Sequence, residues 1–361
     1  MRGLYVHLPF CRSKCGYCDF ASAAGEERHI EPYLDALKKE AAGYAPLAGR
    51  FDTLYIGGGT PSLLSTAQLE KLFSALSPLT GHLRALAEST FEANPESLDA
   101  EKALLLKRSG INRVSLGLQA GQDALLKRMG RIAMTADFLK AFEALRAAGF
   151  DNINADLMCG LPGQTEEDFK TSLDWLIKTA PEHVSLYALE VHEGTPFHAG
   201  GVKEAPEASA AMYEAAWKTL GKAGFGRYEI SNFARPGKES VHNLNYWDQG
   251  EYLGLGAAAA SYLDGERRAN TAATGAYIEA AGGAVPVQYR EKLGGRAKKA
   301  EKIMLGLRKT SGIELPDDIF IEFEDELRRL LAADLIERTG GRIKIKEDRL
   351  YVSNAVFREF V

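Results

Sequence analysis

The sequence has no long apolar run and little net charge. Its 361 residues are 45% hydrophobic, yet no apolar stretch approaches the roughly 20 residues that a membrane-spanning helix needs. The formal net charge of −5 gives no positive field to attract nucleic acid or an anionic membrane. We therefore expect no nucleic-acid partner and find no indication of peripheral membrane contact. No targeting segment is recognisable either, which predicts a cytoplasmic location.

Cysteine is also scarce, but its distribution is informative. The chain has four cysteines, and three of them, Cys11, Cys15 and Cys18, form a C-x3-C-x2-C cluster. A disulfide framework is not expected, because three cysteines cannot pair among themselves and the predicted compartment is reducing. Thiolates packed this closely are ligands for a soft metal or an iron–sulfur cluster.

Two other interpretations of the three cysteines stay open at this point. A structural zinc site usually has four ligands, and His7 or Cys159 could supply the fourth. Inert core cysteines are less consistent with the sequence, because the segment includes the polar residues Arg12, Lys14 and Asp19. We favour a cubane held by three thiolates, which leaves one iron open for another ligand.

The first two thirds of the chain alternate strand-like and helix-like segments, which predicts parallel strands in an α/β fold. The predicted strands are Leu4–Leu8, Thr53–Ile56, Thr90–Glu92, Arg113–Leu118, Asn152–Met158 and Val184–Leu189. The predicted helices are Ile30–Ala45, Thr66–Leu76, Ala100–Lys107, Ala136–Ala148 and Glu166–Thr179. Six units are fewer than the eight of a complete TIM barrel. We therefore expect a partial (β/α)6 TIM-like barrel whose open side admits a bulky substrate.

The predicted domains are the barrel over residues 1–205, a connecting region over 206–287, and a small C-terminal α+β domain over 288–361. In the last of these, a basic helix at Arg296–Leu307 precedes helical patterns near Asp318–Ala333. Strand pairs are predicted around Ile343–Ile345 and Arg349–Val352, and this order resembles a winged helix. The basic run 290–309 is interpreted as a solvated helix face, with a partner surface as the alternative.

Chemically distinctive residues follow the predicted strands one after another. In a parallel α/β barrel, ligands gather at the carboxyl ends of the strands. Those positions hold the cysteine loop, the glycine run Gly57-Gly58-Gly59-Thr60-Pro61, and the polar residues Glu92, Gln119, Arg131 and Asp156. Each polar residue alone is more commonly part of a surface or structural ion pair, and the glycine run alone is typical of a tight turn. Together they predict a binding site.

These motifs resemble a known family. Cys11-x3-Cys15-x2-Cys18, with Tyr17 before the last cysteine, looks like the signature of the radical S-adenosylmethionine (SAM) superfamily. Other segments narrow the resemblance to the group of oxygen-independent coproporphyrinogen III oxidases (HemN) and haem chaperones (HemW). These segments are 5–11 (YVHLPFC), 57–62 (GGGTPS), 92–95 (EANP) and 160–165 (GLPGQT).

The resemblance implies a [4Fe–4S] cluster and SAM as cofactors. Cys11, Cys15 and Cys18 would hold the cluster, and the amino and carboxylate groups of SAM would chelate the fourth iron. The residues that the resemblance assigns to SAM are Tyr5, Tyr17, Gly58, Gly59, Thr60, Glu92, Gln119, Arg131 and Asp156. Their chemistry agrees with these roles, because carboxylates can bind an amine or ribose hydroxyls and a guanidinium can bind a carboxylate.

Within this group the sequence is most similar to the haem chaperones. Asp19-Phe20 follows Cys18 where the oxidases have a further cysteine, and the cluster loop starts almost at the first residue. The segment 242–247 matches the H-N-x-x-Y-W motif of the chaperones. The resemblance then implies haem as a ligand, His242 as its iron ligand, and a haem-acceptor protein and an electron donor as partners. A buried aromatic turn is the structural alternative for this motif.

Two other functions are kept as alternatives. The first is coproporphyrinogen III oxidation, in which radical cleavage of SAM leads to oxidative decarboxylation, and the second is radical chemistry on an unrelated substrate. The chain also departs from its relatives at three positions. Ala260 replaces a common histidine, Cys159 replaces a common tyrosine and is expected in the core, and Gly16 replaces a frequent proline.

Overall fold

The computed structural model describes residues 1–280 and 287–361. Residues 281–286 lie within the predicted connecting region 206–287 and outside the described residues. Six parallel strands that pair in chain order form the centre of the fold, as predicted. They are β1 (Arg2–Leu8), β2 (Thr53–Gly58), β3 (Glu88–Ala93), β4 (Arg113–Gln119), β5 (Ile153–Cys159) and β6 (His183–Ala188).

Helices connect these strands, and the five that the sequence predicts are present within a few residues of the predicted bounds. The helices of this part are α1 (Ile30–Gly43), α2 (Thr66–Thr80), α3 (Ala100–Ser109), α4 (Asp123–Arg128), α5 (Thr135–Ala147) and α6 (Glu166–Thr179). Ser65 is the N-cap residue of α2 and Thr165 is that of α6, and each forms a capping box. These caps satisfy amide groups that have no partner within the helix.

The strands present two chemically different faces. In β4, Val114, Leu116 and Leu118 belong to the main hydrophobic core, whereas Arg113 and Ser115 line an internal cavity. Successive side chains of a strand point to opposite faces. The apolar face therefore packs in the core while the polar face is turned to the inside of the partial barrel.

In the part of the chain that the structure describes, the sheet continues beyond the six central strands to a total of twelve strands. One edge carries β7 (Gly226–Arg227) and β8 (Asn232–Ala234), which pairs antiparallel with β6. At the other edge, β9 (Glu251–Leu255) is parallel to β1, and three antiparallel strands follow it. These are β10 (Ala260–Leu263), β11 (Glu266–Asn270) and β12 (Val287–Lys292).

Further helices are α7 (Pro196–Ala199), α8 (Pro206–Lys222), α9 (Val241–Trp247) and α10 (Thr274–Ala280). The C-terminal module then comprises α11 (Gly295–Gly306), β13 (Ile313–Glu314), α12 (Asp317–Glu322), α13 (Glu324–Ala332), β14 (Ile336–Thr339), β15 (Arg342–Ile345) and α14 (Ser353–Phe357). It has a hydrophobic core of its own. Its order of elements up to β15 is that of a winged helix. Within residues 1–280 and 287–361, no helix is long and apolar enough to cross a membrane.

One predicted strand of this module is wrong. Residues 347–352, where a strand is predicted at Arg349–Val352, form a 3-10 helix. The partner of β15 is instead β14, which precedes it. Gly340 and Gly341 lie between them with φ of 57° and 83°, and two left-handed residues favour a tight hairpin.

Helix α9 is attached to the amino-terminal end of the barrel through Glu88, the first residue of β3. The Glu88 carboxylate accepts hydrogen bonds from the Val241 amide at 2.7 Å, the Ser240 hydroxyl at 3.1 Å and the His242 amide at 3.2 Å. Glu88, Ser240 and His242 are all buried. One carboxylate thus accepts the hydrogen bonds of donor groups at the start of a helix that is distant in sequence.

Replacing Glu88 by Ala should lower the free energy of unfolding by about 3 kcal/mol, because buried amides are left without an acceptor. The measurement is chemical denaturation followed by circular dichroism. Glu70→Ala, at an exposed position of α2, is the control and should change the unfolding free energy little. Equal stabilities of the two variants would contradict the anchoring role of Glu88.

Candidate cofactor site

A cavity of about 650 Å³ opens at the carboxyl ends of the central strands. Eleven of the thirteen predicted site residues line it. These are Cys11, Cys15, Tyr17, Cys18, Gly58, Gly59, Thr60, Glu92, Gln119, Arg131 and Asp156. Tyr5 and His242 are the two predicted residues that do not line this cavity. Ala260 is not among the lining residues either.

The cysteine loop is fixed to the barrel by backbone contacts on both sides. The Gly16 amide donates to the Met129 carbonyl at 2.8 Å, and the Gly16 carbonyl accepts from the Phe197 amide at 2.8 Å. A Cβ at Gly16 would lie 2.3 Å from the Phe197 ring. His7 adds a hydrogen bond of 2.8 Å from Nε2 to the Ala21 carbonyl. Gly16 is therefore tightly packed, with no room for a side chain.

The glycine run after β2 lies against the loop with no room for side chains. A Cβ at Gly57 would be 2.7 Å from the Glu92 carboxylate, and one at Gly59 would be 2.6 Å from the Phe10 carbonyl and 2.9 Å from Cys11 Sγ. Gly58 has φ of +114°, a conformation that glycine adopts readily. The backbone can therefore approach a ligand beside the cysteines.

Two carboxylates stand at the strand ends on the inner face. Glu92 accepts hydrogen bonds from the Tyr55 hydroxyl at 2.7 Å and the Gly58 amide at 3.2 Å, while Asp156 accepts one from Asn154 at 2.7 Å. Burial raises the pKa of Glu92 to about 7 and also raises the pKa of Asp156. Both groups can exchange hydrogen bonds with a polar ligand, and Glu92 can change charge near neutral pH.

Arg131 joins the cysteine loop to the ends of β3 and β4. Its guanidinium lies 4.0 Å from Cys15 Sγ and donates to the Gly117 carbonyl at 2.9 Å and to Asn94 at 3.4 Å. Asn94 in turn donates to Thr60 at 3.2 Å, and Thr60 donates to Cys11 Sγ at 3.5 Å. This chain of polar contacts connects two of the three thiols.

The other predicted residues have individual environments. Gln119 has φ of +73°, which is costly for a residue with a side chain and is found where a site requires it. The Tyr17 ring packs against a small apolar cluster that includes Met129 and Phe197. Tyr5 donates to or accepts from His7 Nδ1 at 2.9 Å, so it supports the histidine that holds the cysteine loop.

The structure places His242 away from the other predicted residues. It is fully buried in α9, at the amino ends of the strands. Its Nδ1 lies 2.8 Å from the Thr53 hydroxyl, and its Nε2 lies 2.8 Å from the Tyr246 hydroxyl. Both ring nitrogens are therefore engaged, and neither is available to iron in this arrangement.

The alternative zinc ligands are occupied elsewhere. Both ring nitrogens of His7 make hydrogen bonds. Cys159 is fully buried, as expected for a core residue, and burial raises the pKa of its thiol to about 12. Across the described ranges, no three His, Cys, Asp or Glu side chains are grouped closely enough for a single metal ion. The thiolates of a cubane each bind a different iron and lie further apart.

The residues of the cavity fit a [4Fe–4S] cluster with SAM. Three thiols face one space, and the glycine run leaves its backbone open where side chains would collide. Arg131 has a buried Nε without a hydrogen-bond partner in the described structure, so a ligand carboxylate can satisfy a group that is otherwise costly to bury. Glu92 and Asp156 supply acceptors for an amine and for hydroxyls.

Several lining residues were not singled out from the sequence. Asn94 lies in the EANP motif without an assigned role, and Tyr55, Arg113, Ser115 and Asn154 lie deeper in the cavity. The sequence pattern that could have identified them is the alternation of polar and apolar residues along the strands. Arg113 is 2% exposed, and such a buried cation in a predicted strand could have marked a polar barrel interior.

Comparisons with known proteins identify the family. The Radical SAM superfamily model matches residues 5–176. Over its whole length the chain is similar to the haem chaperone HemW of Bacillus subtilis (strain 168), with 36% identity over 100% of this chain and 99% of the relative. HemW of Lactococcus lactis subsp. lactis (strain IL1403) is 37% identical over 99% and 96% of the two chains. The chain belongs to the HemW family of radical SAM proteins.

The fold agrees with this assignment. Coproporphyrinogen III oxidase (HemN) from Escherichia coli, a radical SAM enzyme, superposes with a TM-score of 0.86 at 24% identity, over 99% of this chain and 89% of that chain. This likeness shows the fold and confirms the predicted α/β radical SAM barrel with its small C-terminal domain. The predicted HemN/HemW resemblance is likewise confirmed by the HemW relatives.

Replacing Cys15 by Ala should prevent cluster assembly, because two thiolates cannot hold a cubane stably. Iron and acid-labile sulfide per chain, measured after anaerobic reconstitution, provide the test. The matched control is Cys159→Ala, which removes a thiol from the core and should retain the wild-type iron content. Full iron in Cys15→Ala would refute the ligand assignment.

SAM binding to the reconstituted protein should strengthen with pH through about 7, where Glu92 loses its proton. A carboxyl with a pKa of about 7 is about tenfold less ionised at pH 6 than at pH 8. Equilibrium dialysis at several pH values measures the affinity. The control is Glu92→Gln, and dividing the wild-type affinity by that of the variant removes the titration of SAM itself. A ratio that does not change with pH would contradict this role.

Proposed function

We propose that this protein is a haem chaperone that binds haem and delivers it to acceptor proteins. The observation that carries the proposal is full-length similarity to relatives named as HemW haem chaperones, joined to a cavity lined by most of the residues predicted for the cluster and SAM. Phe20 follows the cluster cysteines and lines the mouth of the cavity with 65% of its surface exposed. An exposed aromatic side chain can pack on a porphyrin face.

The cofactors have a supporting role in this proposal. Cys11, Cys15 and Cys18 would hold the [4Fe–4S] cluster, and Glu92, Arg131 and the glycine run would hold SAM. When bound, the cluster supplies one-electron transfer and an open iron, so an electron-donor protein is expected as a partner. The chain's own residues bind and orient these groups and shield them inside the barrel.

We infer that His192, rather than His242, is the axial ligand of haem iron. Among the described residues, His192 is the histidine that lines the cavity. It lies after β6 at the mouth, and its side chain is about half exposed. Its Nε2 lies 3.4 Å from the Glu190 carboxylate and 3.7 Å from the Asp19 carboxylate. A carboxylate beside one imidazole nitrogen commonly orients the other toward a metal.

Haem binding to the anaerobically reconstituted protein tests the proposal. Titration followed at the Soret band should show one haem per chain, and His192→Ala should bind at least about tenfold more weakly, since an axial bond is lost. His198→Ala, an exposed histidine in α7, is the matched control. His242→Ala should retain the wild-type Soret spectrum. Loss of that spectrum in this variant would instead indicate that His242 is the axial ligand.

A parallel assay addresses the alternative enzyme. The reconstituted protein is given coproporphyrinogen III, a reductant and SAM, and the porphyrin products are separated by chromatography. We expect no decarboxylated product. Formation of protoporphyrinogen IX, or absence of stoichiometric haem binding, would contradict the chaperone proposal.

A further inference from the structure

The H-N-x-x-Y-W helix reaches the cofactor cavity through one of its residues. This residue is Asn243 of α9, and His242, which precedes it in the chain, has no exposed surface. Glu88 holds the start of the helix to β3. The motif therefore contacts the cavity from the end opposite the cysteine loop.

A direct series of contacts runs from His242 to the carboxylate at the SAM end of the cavity. The His242 ring lies against the Tyr55 ring, with centroids 5.3 Å apart and an angle of 35° between the planes. The Tyr55 hydroxyl donates to Glu92 Oε1 at 2.7 Å. One residue, Tyr55, thus separates the motif histidine from Glu92.

The position of the His242 ring is fixed on every side. Thr53 and Tyr246 each lie 2.8 Å from one of its nitrogens, and a Cβ at Gly3 would lie 2.8 Å from its Cε1. The Tyr246 ring is in turn packed edge-on against Tyr252 of β9, with centroids 4.8 Å apart. The His242 ring is therefore a well-anchored neighbour of the Tyr55 ring.

We propose that His242 is a positioning residue for SAM, which fixes Tyr55 so that the Tyr55 hydroxyl holds the Glu92 carboxylate ready for the amino group of SAM. This role rests on the SAM site of the proposed function and not on haem binding. It gives the chaperone motif a function in the cofactor site without contact between His242 and haem.

The ionisation of Glu92 makes the positioning role of His242 measurable. The groups around this carboxylate are Tyr55, the Gly58 amide, Asp156, Arg113, Tyr5 and Tyr187. Burial raises the pKa of Glu92, whereas the hydrogen bond from Tyr55 lowers it. Loss of that bond should therefore raise the Glu92 pKa further. His242 itself stays neutral, since burial lowers its pKa to about 3, so it adds no titration of its own near pH 7.

The experiment measures SAM affinity against pH for the anaerobically reconstituted wild type, His242→Ala, Tyr55→Phe and the double variant. A rise of about one unit in the Glu92 pKa reduces its ionised fraction at pH 7 about fivefold. Both single variants should bind SAM about fivefold more weakly at pH 7 and recover to near wild-type affinity at pH 9. The double variant should be no weaker than Tyr55→Phe, because both changes break one series of contacts.

Asn245→Ala is the control for lost stability, since it removes a buried hydrogen bond of the same helix, from Asn245 to the Glu251 carbonyl at 3.0 Å, but leaves the contacts of His242 in place. It should bind SAM like the wild type at each pH, and all variants should keep their iron content. Unchanged affinity in His242→Ala, or a loss of equal size at every pH, would overturn the positioning role. Absence of SAM binding in the wild type would instead overturn the proposed SAM site together with this inference.

Discussion

The buried guanidinium of Arg131 connects the parts of the cofactor site. It reaches Cys15 in the loop, Asn94 after β3 and the Gly117 carbonyl in β4. A charge buried in this way is unfavourable unless anionic or hydrogen-bonding partners surround it. One of these partners, Cys15, is a proposed cluster ligand, and the buried Nε of Arg131 has no hydrogen-bond partner in the described structure. A ligand carboxylate in the site would therefore complete the interactions of this buried charge.

The fold, and the part of the site at the carboxyl ends of the strands, could be predicted from the sequence for a simple geometric reason. Parallel strands bring their carboxyl ends to one edge, so Cys11, Glu92 and Gln119 converge even though they are distant in sequence. The predicted strand at Arg349–Val352 was wrong because strand propensity does not specify the partner. The turn at Gly340 and Gly341 determined that pairing.

The deeper part of the site could not be predicted because it depends on how α9 returns to the barrel. A histidine followed by Tyr246 and Trp247 suits a haem pocket or a buried aromatic plug equally well as a local pattern. The distinction comes from Glu88, which binds the start of α9 across more than 150 residues of sequence. That contact places His242 below Tyr55, at the end of the barrel away from the cysteines. The residue at the mouth, His192, has no motif around it.

The central claim is that three cysteines hold a cluster whose fourth iron binds SAM in this cavity. Electron–nuclear double resonance of the reduced cluster tests it most directly, with SAM labelled with nitrogen-15 at its amino group. The account predicts a hyperfine coupling from the labelled nitrogen in the wild type, because the amine ligates the open iron. A reduced cluster that binds SAM without such a coupling would contradict the account.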